Sequence, residues 1–151
     1  MSSDDIVADL HLHTTASDGT VFVDQRLTQA KQTGLKTIAI TGHDTIAPEL
    51  TSRRQLRDGV ELITGVELKA DVMSKKIELL GYYVDPSDEE LSGLLDQARE
   101  YRRNRNDSIL DNLSKATDLD LSRADIPSTR GALGRPHIAN YLVETDIVLS
   151  N

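Results

Sequence analysis

Cysteine and tryptophan are absent from the 151 residues, phenylalanine occurs once, and aromatics make up only 3% of the chain. Without a thiol the chain can form no disulfide and offers no thiolate, so any metal it holds must be bound by imidazole and carboxylate. Without aromatic bulk, a core must be built from Leu, Ile, Val and Ala, within a hydrophobic content of 38%. The length suits one domain large enough for a real core. No apolar run approaches the roughly 20 residues that cross a bilayer. The acidic opening Met1-Ser2-Ser3-Asp4-Asp5 lacks the basic and apolar regions of a secretion signal. A cytoplasmic location is therefore the expectation. Positive charge is also scarce. The balance of 17 Lys+Arg against 25 Asp+Glu leaves −8, which argues against a protein that coats duplex DNA or an anionic membrane. An enzyme acting on phosphates stays open, because bound cations reverse the local sign.

What is present is concentrated near the start. Val7-Ala8-Asp9-Leu10-His11-Leu12-His13 reads as a strand, over residues 6–13, that runs into the polar loop Thr14–Thr20. Alternate strand residues face the same way, so His11 and His13 share one face and Leu10 and Leu12 the other. Two adjacent imidazoles followed by Asp18 make half of a metal site.

The chain then alternates. Asp24 is placed to cap a helix through about Gln32, ended by Gly34. Lys36–Thr41 is a β-branched strand delivering Gly42-His43-Asp44-Thr45 at its end. A second helix is expected from Asp44 or Thr45 to about Leu56, then strands over Val60–Leu68 and Lys76–Val84, with Gly65 marking a bulge or a close approach. Ser87 and Glu90 have the spacing of a capping box for a long helix to about Lys115. A short turn or helix over Leu121–Ile126 and a last helix opening at Gly134-Arg135-Pro136-His137 follow, and the tail Ile147-Val148-Leu149 could begin another element. This alternation predicts an α/β fold with a mainly parallel sheet, whose chemistry gathers at the carboxyl ends of the strands. His11, His13, His43 and Glu67 all fall at or near such ends.

The ordered motifs His11-x-His13, Ser17-Asp18-Gly19, Thr41-Gly42-His43-Asp44 and Gly65-Val66-Glu67 resemble the PHP family, the polymerase and histidinol phosphatase domain. Leu79-Leu80-Gly81-Tyr82 and Gly134-Arg135-Pro136-His137-Ile138-Ala139 narrow the resemblance to stand-alone phosphoesterases acting on nucleoside 3′,5′-bisphosphates and on 5′ ends of short RNA. The likeness runs from residue 6 to about residue 144. It implies that residues 6–151 form the N-terminal portion of a distorted (β/α)7 barrel, with a helical segment at about 87–145. It also implies two or three divalent ions, manganese, iron or zinc. By the family pattern His11 and His13 bind one ion, Glu67 bridges it to a second, Asp18 and His43 bind a third, and Arg135 and His137 contact substrate phosphate. Hydrolysis of a phosphorylated small molecule or a short RNA end by metal-bound hydroxide is the implied reaction, with His11, His13 and Glu67 acting through that water.

Two positions depart from the pattern. Glu78 stands where the family has a metal-binding histidine, and a carboxylate there either still ligates or has lost the role. The family's remaining ligands, a later His and an Asp-x-His, would lie beyond residue 151, so the barrel is expected to be open, with sheet edges that invite association with another chain. Of the arginines in 99–105, Arg99 and Arg105 read as a solvated helix face. Arg102 and Arg103 stay open between that and a phosphate contact. Asp9 and Asp44 could orient imidazoles, or Asp44 could cap the following helix. The rival readings are a histidinol-phosphate-type phosphatase and a non-catalytic metal-binding fragment or interaction module.

Overall fold

The computed structural model describes residues 7–117, 119–126 and 133–147. Ile6 of the expected first strand and Val148-Leu149 of the tail lie outside them. The elements in order are β1 (Ala8–Leu12), α1 (Val23–Thr33), β2 (Thr37–Ile40), β3 (Arg54–Arg57), β4 (Val60–Val72), β5 (Lys75–Tyr82), α2 (Glu89–Thr117), a 3-10 turn (Arg123–Asp125) and α3 (Arg135–Glu144). The fold is mixed α/β, built on the parallel strands β1, β2 and β4.

The core on one face of the sheet follows from the apolar spacing. Leu27 and Ala30 of α1 meet Ile38 and Ile40 of β2 and Val60 and Leu62 of β4, with Leu12 and Leu35 against them. Ile38 and Leu62 are fully buried, each worth about 1.5–3 kcal/mol over an exposed side chain. Gly34 ends α1 at φ +79° as the spacing predicts. The cap at the other end differs. Phe22 is the N-cap, its N–H donating to Gln25 Oε1, while Asp24 sits in the first turn. α2 also begins differently: Asp88 Oδ1 accepts the Leu91 N–H, while Ser87 gives its hydroxyl to Asp85. A second apolar cluster joins Leu110 of α2, Leu121 and Ile126 to Ile138 and Leu142 of α3.

The helix expected from Asp44 or Thr45 to Leu56 is absent. Turns occupy that stretch and end in β3, antiparallel to β4 with Arg57 opposite Val60. The reason is local chemistry. Pro48 cannot donate a helical N–H. Asp58-Gly59, both at positive φ, forms the two-residue turn that an Asp-Gly pair favours in a hairpin. β4 and β5 form another antiparallel hairpin, from Gly65 opposite Tyr82 to Val72 opposite Lys75. Gly65 sits where the strands crowd. A Cβ there would fall 2.7 Å from Thr41 Cγ2 and 2.9 Å from the Gly81 carbonyl oxygen, so close approach, not a bulge in β4, is its role. A bulge does occur in β1, between Asp9 and Leu12 against β2.

Candidate metal centre

Three parallel strands deliver the cluster. The β1 bulge lies at Leu10–His11, and bulged strands commonly re-aim side chains beside active sites. His11 and His13 then both turn toward Glu67 on β4. His43 follows β2, and a parallel bridge sets it beside Glu67, with Asp44 N–H donating to the Glu67 carbonyl and Glu67 N–H to the Gly42 carbonyl. Arg26 of α1 donates from Nε to the His13 carbonyl at 3.0 Å and pins the end of β1. Gly19 lets the loop fold back, since a Cβ there would fall 2.6 Å from the His13 carbonyl carbon.

The Glu67 carboxylate is 2% exposed, and its Oε2 lies 3.3 Å from His11 Nε2, 3.1 Å from His13 Nε2 and 3.1 Å from His43 Nδ1. A buried carboxylate without a cation is costly, and no lysine or arginine pairs with it among the described residues. His43 Nδ1 is buried and makes no hydrogen bond despite that distance: it is near the oxygen but not aligned with it. Donors that share one ion at about 2.0–2.2 Å stand roughly 3 Å apart, and each imidazole stands at about that distance from Glu67 Oε2. The donor set of imidazoles and carboxylates suits zinc, manganese and iron. The residues present therefore fit a divalent ion.

Two overlapping groups emerge, His11 with His13 and Glu67, and His13 with Asp18 and His43. His13 enters them through different ring nitrogens: Nε2 faces Glu67, whereas Nδ1 lies 2.7 Å from Asp18 Oδ1. Asp18 Oδ2 is 3.4 Å from His43 Nε2, and Ser17 Oγ donates to Oδ1 at 3.2 Å. Burial raises the Asp18 pKa, but the His13 contact, the charges of His43 and His13, and the Ser17 hydroxyl outweigh it and hold the carboxyl below its ordinary range. For His43, burial wins over the carboxylates of Asp18 and Glu67, and with Arg102 and His13 depresses its pKa, favouring the neutral ligating form.

Glu78 faces the same side of the hairpin as Glu67, two positions along from the Leu80–Glu67 pair. Its Oε1 lies 2.6 Å from Lys69 Nζ, and both side chains are about half exposed. The Lys69 ammonium keeps its pKa low. Glu78 belongs to neither donor group.

Of the α2 arginines, Arg99, Arg102 and Arg105 are placed otherwise than a solvated face would require. Arg102 donates from Nε and Nη2 to Asp44 Oδ2 at 2.9 and 2.5 Å, and Arg99 Nη1 donates to the Asp44 carbonyl at 2.8 Å. Asp44 thus neither caps a helix nor touches an imidazole. Asp9 instead accepts the backbone N–H of His11. Arg103 is exposed, its carbonyl accepting from Arg123. Arg105 is half-buried with an unpartnered Nε, and burial followed by repulsion from Arg102 and Arg135 lowers its pKa. Arg135 is exposed in the first turn of α3 and makes no hydrogen bond or ion pair among the described residues. His137 Nδ1 accepts the Gly134 N–H at 2.9 Å, so one of its nitrogens is committed to capping. Arg26 is the residue that strand-end reasoning passes over, and nothing local marks it. Ser17 and Gly19 stood in the sequence only as neighbours of Asp18 in its motif.

The PHP domain family matches residues 9–143. The chain belongs to the PHP domain family. Among curated relatives, it is 34% identical over 143 residues to the 5′-3′ exoribonuclease Rnm of Escherichia coli K12, covering 92% of this chain and 49% of that protein. It is 32% identical to a 5′-3′ exoribonuclease of Haemophilus influenzae, covering 90% of this chain and 50% of the relative. It is 36% identical over 124 residues to the phosphoribosyl 1,2-cyclic phosphate 1,2-diphosphodiesterase of Eggerthella lenta, covering 79% of this chain and 47% of that enzyme. The chain thus spans about half the length of the curated relatives it matches. A solved structure from Bifidobacterium adolescentis, assigned as a metal-dependent phosphoesterase, superposes with a TM-score of 0.78 at 30% identity, covering 95% of this chain and 52% of that one. An amidohydrolase from Chromobacterium violaceum, 23% identical, shares the fold at a TM-score of 0.74, covering 94% of this chain and 51% of that one. No helix among the described residues is long and apolar enough to cross a membrane.

Proposed function

We propose that this PHP chain carries the ion-binding half of a divalent-metal-dependent phosphoesterase that hydrolyses a phosphate ester of a small nucleotide or a short RNA. The observation that carries the reading is the convergence of three imidazole nitrogens, at 3.1–3.3 Å, on one buried carboxylate oxygen. Bound divalent ions supply Lewis-acid charge for a phosphoryl oxygen and lower the pKa of water. The chain's own residues do the rest. Glu67 holds the negative charge that, with His11, His13 and His43, selects a small cation over an organic one. Asp18 fixes the His13 ring so that Nε2 points at the ion position. Arg135 offers a guanidinium unpaired among the described residues at a helix start, a setting that attracts oxyanions. Arg105, held against two other arginines, adds to the cationic field an anion would relieve. Arg102 is occupied by Asp44 and takes no part in substrate contact on this reading. The relatives named as exoribonucleases and as a cyclic-phosphate diphosphodiesterase support a substrate carrying phosphate on ribose.

The test is phosphate or nucleotide release, with Mn²⁺ present, from adenosine 3′,5′-bisphosphate, a 5′-phosphorylated oligoribonucleotide and histidinol phosphate. The protein carrying this chain is expected to act on the first or second, and His11→Ala and Glu67→Gln to abolish that activity. Preference for histidinol phosphate, or full activity in both variants, refutes the proposal.

A further inference from the structure

The two apolar clusters share no residue: one joins α1 to the sheet, the other joins α2 to α3. Every hydrogen bond that α2 makes to the sheet layer among the described residues ends on a single residue, Asp44. Asp44 follows His43 directly. Its backbone leaves β2 at φ +53°, a left-handed turn that aspartate tolerates better than most residues. Its N–H donates to the Glu67 carbonyl at 3.0 Å, so the same residue is tied to the strand carrying the central carboxylate. Its side chain points the other way, into the helical layer. There Oδ2 takes both forks of Arg102, with the two side chains only 6% and 11% exposed, and Arg99 takes the carbonyl. The pair is inaccessible to substrate and does not ligate an ion. It spans 58 positions in sequence and joins a metal-ligating loop to the helices that carry Arg135.

We propose that Asp44 is a positioning residue. Clamped by Arg99 and Arg102, it holds the His43 loop against Glu67 and locks the α2–α3 layer, with Arg135, to the ion-binding strands. The inference deepens the phosphoesterase reading and rests on it for the meaning of the ion site. The physical reason is that two charge-assisted hydrogen bonds from one guanidinium to a buried carboxylate oxygen are strong and directional. Groups hydrogen-bonded to a ligand typically govern metal affinity by 10–100-fold, and Asp44 is bonded through its backbone to Glu67.

The test uses the 151-residue chain with Arg102→Gln, Arg102→Lys, Asp44→Asn and the Asp44→Asn/Arg102→Gln double variant. Calorimetric titration with Zn²⁺ alone reads the ion site. Amide exchange reads residues 135–144, with residues 37–40 and 60–64 as the record of an intact sheet. Arg102→Gln and Asp44→Asn are each expected to weaken Zn²⁺ binding roughly tenfold or more and to speed exchange in 135–144, with the sheet still protected. The double variant is expected to be no worse than the worse single one, because the two residues act through one contact. Arg102→Lys, keeping the charge but not the fork, is expected to recover part of both effects. Should Arg102→Gln fail to fold, the isosteric Asp44→Asn carries the comparison. Native Zn²⁺ affinity and native exchange in these variants would overturn the proposal, as would effects that multiply in the double variant. His11→Ala separates the two ideas. If it leaves Zn²⁺ binding intact, the ion-site reading falls, and the exchange of 135–144 still judges the clamp.

Discussion

Replacing Glu67 by glutamine is expected to abolish the stabilisation of the chain by divalent ions. The substitution keeps the shape of a side chain that is 2% exposed and removes the one charge on which three imidazoles converge. An ion that binds only the folded chain adds about 2.7 kcal/mol when free ion stands at 100 times its dissociation constant. For a domain of this size each kcal/mol moves the melting midpoint by about 2–4 °C. The wild-type chain, stripped with chelator and then given Zn²⁺ or Mn²⁺, should therefore gain roughly 5–10 °C. Glu67→Gln leaves the group of His11, His13 and Glu67 with two imidazoles and no carboxylate, and the gain should vanish at the same ion concentration. Melting followed by far-ultraviolet circular dichroism reads it, with the chelated protein of each variant as its own reference. A full gain in Glu67→Gln, or none in the wild type with either ion at millimolar concentration, refutes the assignment of this cluster as an ion site.

Stability of the metal-free chain should fall on the acid side in two stages. Burial holds the folded pKa of His43 below its ordinary 6.5, so its contribution is complete above that pH and is lost as pH falls through the folded value. Asp18, held below 3.8 by its imidazole and hydroxyl neighbours despite burial, adds a later loss below that value. Urea midpoints from pH 8 to 3 should show both, and His43→Asn should remove the first. Gly65→Ala forces a Cβ to within 2.9 Å of the Gly81 carbonyl oxygen and should destabilise by about 1–3 kcal/mol, measured as a lower urea midpoint. Arg135→Ala should raise KM for the phosphate ester at least tenfold with the melting temperature unchanged, because the side chain is exposed and unpaired among the described residues; an unaltered KM would remove Arg135 from substrate binding.

By itself the sequence determined whatever depends on neighbours along the chain. The strand period placed His11 and His13 toward one target, Gly34 stopped α1, and the β-branched run before Gly42 delivered His43 to a strand end. Family membership was legible for the same reason, as motifs sit in fixed order at strand ends. Local signals failed where two of them competed. From Asp44 to Leu56 an apparent cap lost to Pro48 and to the Asp58-Gly59 turn, and β3 formed instead.

Tertiary structure alone decided who pairs with whom across long separations. No spacing rule links Asp44 to Arg102, 58 residues on, and the reading of Asp44 as a cap and of Arg99 as solvated gave way to that contact. For Glu78 the motif left open whether it still ligates an ion, and only the hairpin register shows that Lys69 lies beside it. Backbone periodicity fixes which face a side chain occupies. What lies across that face depends on how separate elements pack, and that information is spread over the whole chain.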